Sequence, residues 1–342
     1  MLSVDVEVDR RDLTVRAELR VAAGERVALF GPSGAGKTTV LEAIAGLVAP
    51  RRGLISLGER VLTSAAAPGA AAPGAGPPRT AARPVAVPPW QRRVGLLRQD
   101  PGLFPHLSVR ANLTYARSAA RGSELSELAA RLGIDGLLAA MPARLSGGQR
   151  HRVALGRLLL AHCDALLLDE PFASLDAALR RTLTALVKDL SAERTVPSVL
   201  VTHQLSDAQA FADRLAVIDR GEILQVGAPD AVVLRPGSRR VAELVGYLGF
   251  VSAGGSAGTG TGAVAGVHPD RVVAGSEPGR GLVVTGTVTA SRPSGAGWEA
   301  DVLAGDAAFT CRLPARPAGA ELSVTLLDPP CFGADGALLS PR

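Results

Sequence analysis

Apolar and polar positions follow two different rhythms along this chain. Over roughly the first two thirds, short β-type apolar runs such as Val27-Ala28-Leu29-Phe30 exchange with stretches whose apolar residues recur at helical spacing, such as Thr39-Val40-Leu41-Glu42-Ala43-Ile44-Ala45-Gly46. That exchange predicts an α/β domain with a largely parallel sheet over residues 1–235. Residues 64–90 interrupt it with Ala, Pro and Gly that carry no apolar period, and read as a disordered or extended surface insertion.

Beyond that point the pattern changes. Residues 236–261 read as a connector and linker, closing in a Gly/Ser/Thr/Ala stretch at 252–262. Residues 282–289, 298–303, 307–313 and 321–327 then read as short strands divided by Gly and Pro turns. A small all-β domain, one β-barrel in size, is expected over 262–342.

Composition narrows the classes. With 342 residues, 47% hydrophobic and 20% charged, the chain has the balance of an ordinary globular protein with room for two domains. Its apolar runs fall far short of the roughly 20 residues that span a bilayer, and no basic and apolar leader opens it. The expectation is a cytoplasmic chain that meets a membrane only through a partner. Cys163, Cys311 and Cys331 are too few and too scattered for a disulfide framework or a zinc site. The net charge is +5, but the arginines are spread out and form no basic run of five, so no nucleic-acid partner is expected.

Against this background one segment stands out. The chain has only two lysines among 37 basic residues, and one of them, Lys37, closes the run Gly31-Pro32-Ser33-Gly34-Ala35-Gly36-Lys37-Thr38 between a predicted strand and a predicted helix. Strand, Gly-rich loop and helix in that order form a phosphate cradle, in which Gly31 and Gly36 let the backbone curl so that N–H groups face phosphate oxygens. A compact ammonium on a flexible stem suits Lys37 for the β- and γ-phosphates where a bulky planar guanidinium does not. The Thr38 hydroxyl is the expected Mg²⁺ ligand, and Thr39 continues the nucleotide-binding run.

Two further segments carry chemistry. Leu166-Leu167-Leu168-Asp169-Glu170 is an apolar strand that ends in two carboxylates, at the sheet edge where α/β proteins hold ligands. Asp169 is the candidate Mg²⁺ ligand and Glu170 the candidate general base that polarises an attacking water. Leu145-Ser146-Gly147-Gly148-Gln149 opens a helix-like run and makes a second anion cradle, which one nucleotide site does not need.

This last run resembles the signature sequence of the ATP-binding cassette (ABC) ATPases, and the other elements of that family occur in order. Gly31 to Thr38 matches the phosphate loop, Gln99 resembles the lid glutamine, and Asp169-Glu170 match the acidic strand. Ser174-Leu175-Asp176 resembles the aspartate loop and Val201-Thr202-His203 the switch histidine. The resemblance implies a P-loop ABC ATPase fold with a helical subdomain, using ATP and Mg²⁺, with Gln99 sensing the metal and His203 the γ-phosphate. It also implies a head-to-tail homodimer in which Ser146, Gly147, Gly148 and Gln149 of one subunit close over ATP held by the other.

The run from Pro101 to Leu113 resembles the importer branch, where this region receives a helix of an integral membrane permease. That branch implies a place at the cytoplasmic face of the membrane and an indirect link to a solute-binding protein. The tail resembles the oligomer-binding-fold accessory (TOBE-like) domains of importer ATPases, which here either binds an oxyanion or supports the dimer. With residues 88–95 and Leu103-Phe104-Pro105-His106, it most resembles the molybdate-importer ATPases. Importers of sulfate, iron, polyamine or sugar form the second reading, ahead of a soluble ABC ATPase acting on nucleic acid or ribosomes and of a kinase with the same loop.

Two departures from the family accompany the matches. Residues 1–29 contain no Phe, Tyr or Trp to stack on adenine, which leaves Leu13 or Val15, and Arg98 precedes the lid glutamine in place of an apolar residue.

Overall fold

The computed structural model describes residues 1–65, 84–115, 122–173, 175–253, 263–277 and 279–339. The chain divides into two compact units, Met1–Pro229 and Asp230–Arg342.

In the first unit the elements follow in the order β1 (Leu2–Asp9), β2 (Thr14–Val21), β3 (Arg26–Phe30), α1 (Lys37–Ala45), β4 (Arg52–Leu57), β5 (Arg60–Ala65), β6 (Val85–Ala86) and β7 (Val94–Leu97). Then come α2 (Val109–Leu113), α3 (Gly122–Arg131), α4 (Gly147–Leu160), β8 (Ala165–Asp169), α5 (Ala177–Glu193), β9 (Ser198–Thr202), α6 (Leu205–Phe211), β10 (Arg214–Asp219) and β11 (Glu222–Gly227). The strands form one 11-stranded sheet, ordered β6-β5-β4-β1-β2-β11-β10-β3-β9-β8-β7.

The expectation of a largely parallel sheet holds for one side only. Strands β10, β3, β9, β8 and β7 pair in parallel, whereas β6, β5, β4, β1 and β2 pair antiparallel. The physical difference lies in burial. All five residues of β8 and of β9 are buried, as in strands covered on both faces, while β2 alternates buried with exposed positions and covers the core with one face.

Two apolar clusters flank the sheet. On one side Val4, Val15, Leu29, Val40, Leu41, Ile44 and Val199 enclose α1 against the strands. On the other, Leu113, Leu132, Leu155, Leu159, Leu168, Phe172, Leu183 and Leu200 join α2, α3, α4 and α5 to the sheet. Among the described residues no helix is long and apolar enough to cross a membrane.

Part of the insertion read at 64–90 is structured at both ends. Thr63 pairs with Ala86 and Ser64 with Val85, and Pro89–Gln91 form a 3₁₀ turn, while residues 66–83 lie outside the described residues. Arg92, on the far side of this turn, is buried, with Nη1 donating to the carbonyls of Ala43 and Ile44 at 3.1 and 2.9 Å. It thereby gives the Ala43 carbonyl, which also accepts from the N–H of Gly46, a second donor and supplies one to the Ile44 carbonyl at the end of α1.

The second unit contains two antiparallel sheets, one of Phe250–Ser252, Val264–Gly266 and Cys331–Phe332, and one ordered Val272–Ala274, Glu321–Leu326, Leu282–Ser294, Gly297–Ala304 and Ala307–Leu313. Their inner faces share a core of Val251, Ala265, Val284, Ala300, Val302, Phe309 and Leu326, in keeping with a small oligomer-binding-fold-like domain. The stretch read as connector and linker is more than that. Arg239–Leu244 form a helix capped by Ser238, whose Oγ accepts from the N–H of Val241 at 3.3 Å, and Phe250–Ser252 join a sheet. Residues 254–262 lie outside the described residues.

Candidate active site

The parallel register brings three chain segments to one sheet edge. Phe30 pairs with Thr202, and Asp169 pairs with Val201, so the ends of β3, β8 and β9 stand side by side. The loop after β3 curls over them with Gly34 at φ 80° and Gly36 at φ 101°, both in the left-handed region. Gly31 is required for another reason, because a Cβ there would stand 2.0 Å from the carbonyl oxygen of Ile218. The loop therefore turns on Gly34 and Gly36, not on Gly31 as its position suggests. Ala35 is buried beneath it.

Lys37 begins α1, and its Nζ donates to the carbonyls of Gly31 and Pro32 at 2.8 Å each. Burial lowers its pKa, while Glu170 and Asp169 oppose the shift. The ammonium is thus folded into the loop it would share with a phosphate group.

Thr38 and Asp169 face each other: Oγ1 donates to Oδ2 at 3.0 Å and lies 3.2 Å from Oδ1. Asp169 is only 5% exposed. Burial pushes its pKa up, with the Thr38 hydrogen bond acting against burial and Glu170 adding to it. The Lys37 ammonium also favours the charged form, yet burial outweighs both it and the hydroxyl. Mg²⁺ keeps waters and phosphate oxygens and takes only one or two protein carboxylates, so this pair suits it.

Glu170 leaves the strand at φ 51°, a conformation uncommon for a residue with a Cβ, and its N–H still donates to the carbonyl of Val201 at 3.0 Å. The kink turns its carboxylate toward Nδ1 of His203. An open cleft of about 580 Å³ runs between these groups, lined by Ser33, Gly34, Gly36, Lys37, Thr38, Thr39, Gln99, Asp169, Glu170, Val201 and His203. Arg10, Arg11, Asp12 and Leu13 line it as well. That size is within the range of small-molecule and cofactor sites.

The second cradle is elsewhere. Ser146 caps α4: its Oγ accepts from the N–H of Gln149 at 3.2 Å, and Gln149 Oε1 accepts from the N–H of Ser146 at 2.8 Å. None of Ser146, Gly147, Gly148 and Gln149 lines the cleft of its own chain. Asp176 caps α5, where the N–H groups of Leu179 and Ala178 hold its carboxyl below the ordinary value, and Ser174 lies outside the described residues.

Of the two apolar residues expected to meet adenine, only Leu13 lines the cleft. Val15 is fully buried and packs beneath Gly36. The arginines of the 10–13 turn were missed because a pair of arginines beside an aspartate reads as a solvated hairpin tip.

Residues 15–173 match the family described as ABC transporter. They form an ABC transporter domain. The match runs from β2 through the end of β8, and so takes in the phosphate loop, the capped helix α4 and the Thr38–Asp169 pair. The chain is 41% identical over 232 residues to "Fe(3+) ions import ATP-binding protein FbpC" of Pseudomonas fluorescens, covering 67% of this chain and 60% of that protein. It is 37% identical over 232 residues to "Molybdenum import ATP-binding protein ModC" of Photorhabdus laumondii, covering 68% of this chain and 61% of that protein. The chain thus spans about three fifths of the length of these relatives. A solved "Structure of ATP binding subunit of ABC transporter" superposes with a TM-score of 0.55 at 25% identity, over 72% of this chain and 94% of that one. In the first unit, Lys37, Thr38, Gln99, Asp169 and Glu170, all within the matched residues, meet His203, which lies beyond them, in one cleft, and the four residues from Ser146 to Gln149 do not line it.

Proposed function

We propose that the chain is the ATP-hydrolysing subunit of an ABC importer, that it works as a head-to-tail homodimer under integral membrane permease subunits, and that its cargo is molybdate or tungstate. The observation that carries the reading is the convergence of Lys37, the Thr38–Asp169 pair, Gln99 and the Glu170–His203 pair on one cleft at the carboxyl edge of the sheet.

In this reading the triphosphate lies over the start of α1. Backbone N–H groups from Ser33 to Thr39 and the Lys37 ammonium bind it. Thr38, Asp169 and Gln99 would hold Mg²⁺, which when bound offsets the charge between the β- and γ-phosphates. Glu170 accepts a proton from the attacking water, and His203 fixes the carboxylate through Nδ1 while leaving Nε2 for the γ-phosphate. Ser146, Gly147, Gly148 and Gln149 face outward in one chain and serve the cleft of a second copy, which accounts for a cradle with no ligand of its own. Closure and reopening of the two copies would be the working stroke.

The permease would dock on the segment after Gln99. There Leu103 and Phe104 are half-buried, and the Phe104 ring stands 4.2 Å from that of Tyr115, which is 61% exposed. Arg157 of α4 lies 5.2 Å from the Phe104 ring, so movement of this segment is linked to the helix that Ser146 caps. Such docking would place the chain at the cytoplasmic face of the membrane, indirectly linked to a solute-binding protein.

Iron is the second reading, favoured by the relative named for Fe(3+) import. Uptake of labelled molybdate and of labelled Fe(3+) by cells carrying wild-type chain or Glu170→Gln separates the two. Molybdate uptake lost in the variant and blocked by tungstate, but not by sulfate, supports the first. Fe(3+) uptake alone lost in the variant replaces it with the second, and no change in either contradicts both.

A further inference from the structure

The nucleotide cleft has an unexplained rim. Among the described residues that line it there is no Phe, Tyr or Trp, so a purine base finds no aromatic plane larger than the His203 ring at the carboxylate end. The turn between β1 and β2 borders the cleft beside the start of α1. Asp9 pairs with Thr14, the N–H of Arg10 donates to the carbonyl of Leu13 at 2.8 Å, and residues 10–13 project into the cleft.

This turn is fastened in place. Arg10 Nε donates to Thr39 Oγ1 at 3.2 Å and its guanidinium pairs with Glu42, both on α1. Arg98 Nη2 reaches the same Glu42 carboxylate at 3.4 Å, joining the residue before Gln99 to the same anchor. Leu13 comes close to Gly36 at the start of the helix. Successive helix residues point about 100° apart, so the Thr38 hydroxyl faces Asp169 while the Thr39 hydroxyl faces Arg10. A nucleotide with its metal-binding end at Thr38 and Asp169 therefore extends its other end toward the turn.

Arg10 is committed to α1, and Arg11 is not. Arg11 is exposed, lines the cleft, and makes no ion pair or side-chain hydrogen bond among the described residues. A guanidinium is planar, weakly hydrated and able to stack on a base as an aromatic ring does. We propose that Arg11 is the residue that holds the nucleobase, its guanidinium plane standing where an aromatic ring would stack, with Leu13 supplying the apolar floor. The proposal rests on the nucleotide reading above. It also gives the Arg10–Glu42–Arg98 bridge a purpose, which is to hold the turn so that Arg11 is positioned without being consumed.

The test is equilibrium binding of Mg²⁺-ATP and of inorganic tripolyphosphate to the full chain, by calorimetry, for wild type, Arg11→Ala and Arg11→Tyr. Arg11→Ala is expected to weaken ATP binding roughly 10-fold, the loss typical of one base stack, with tripolyphosphate affinity and thermal midpoint unchanged. Arg11→Tyr is expected to restore ATP binding to within about threefold of wild type, because the ring replaces the plane without the charge. Equal ATP affinity in wild type and Arg11→Ala overturns the proposal and leaves the nucleotide reading standing. Parallel weakening of ATP and tripolyphosphate overturns it in favour of a phosphate contact. Failure of the wild-type chain to bind ATP at all overturns the nucleotide reading and this proposal together.

Discussion

Nδ1 of His203 stands 2.7 Å from Oε2 and 2.8 Å from Oε1 of Glu170, across the gap between the ends of β9 and β8. The contact depends on the left-handed backbone of Glu170, which turns the carboxylate away from the strand line. In the proposed reading, His203 positions Glu170, the proton acceptor, and also lines the cleft. His203→Ala should lower ATP turnover by about 10²-fold, the lower end of what a positioned proton acceptor contributes, with ATP affinity nearly unchanged. His203→Gln, which can still donate to Glu170, should recover part of that loss. Equal rates for the two variants in a phosphate-release assay would show that the hydrogen bond to Glu170 is irrelevant.

Asp169 ties stability to pH and to the metal. Burial raises its folded pKa above the ordinary 3.8, so its contribution to stability is fully present below that value and is lost as pH rises through the folded value. At neutral pH without ligand the charge is a cost. Asp169→Asn should therefore raise the thermal midpoint of the ligand-free chain at pH 7 and flatten its fall as pH rises above the ordinary carboxylate value. It should also abolish the rise in midpoint that Mg²⁺ adds in the presence of ATP. Scanning calorimetry at several pH values reads both effects, and a lower midpoint for the variant at pH 7 would contradict the assignment.

The two glycines at positive φ in the phosphate loop should respond unequally. A Cβ on Gly36 would lie 2.7 Å from Val15 Cγ2, whereas one on Gly34 meets nothing within 4 Å. Gly36→Ala then combines backbone strain with a clash and should cost about 2–3 kcal/mol and most of the ATP binding. Gly34→Ala carries only the strain and should cost about 1 kcal/mol. Denaturant melts of the two variants check the order.

How much of this was legible in the sequence depended on whether the deciding interaction was local. The phosphate loop could be read because Gly34, Gly36, Lys37 and Thr38 act within one strand-loop-helix turn, and the acidic strand because Asp169 ends an unbroken apolar run. The kink at Glu170 could not be read, since no residue type at that position announces a left-handed backbone. The antiparallel half of the sheet was missed because an alternating strand such as β2 looks the same whichever way its neighbour runs. The strand Leu282–Ser294 was cut short at Thr289, before Pro293. Pro293 is tolerated because its pairing with Trp298 lies beyond the reach of Glu321–Leu326, which stops at Thr287, so the missing N–H faces no second neighbour. Arg92 went unnoticed because a buried guanidinium serving carbonyls of a distant helix has no sequence mark.

The outward-facing cradle separates a dimer from a monomer that works alone. Ser146→Ala removes the cap of α4 and should cost about 1 kcal/mol. Ser146→Arg adds bulk and charge at a position that does not line its own cleft, so it should leave ATP binding intact while silencing turnover. Wild-type turnover should rise more than linearly with protein concentration in the range where copies pair. Turnover strictly proportional to concentration, or full activity of Ser146→Arg, would remove the reason for a second cradle.

The central claim is that this cleft hydrolyses ATP with Glu170 as the proton acceptor, and the most direct measurement is phosphate release beside ATP retention for wild type and Glu170→Gln. The account predicts Mg²⁺-dependent release by wild type, a fall of roughly 10²- to 10⁴-fold in the variant, and ATP held by the variant at least as tightly as by wild type. Equal release by the two proteins, or no release by wild type at concentrations where it dimerises, would contradict it.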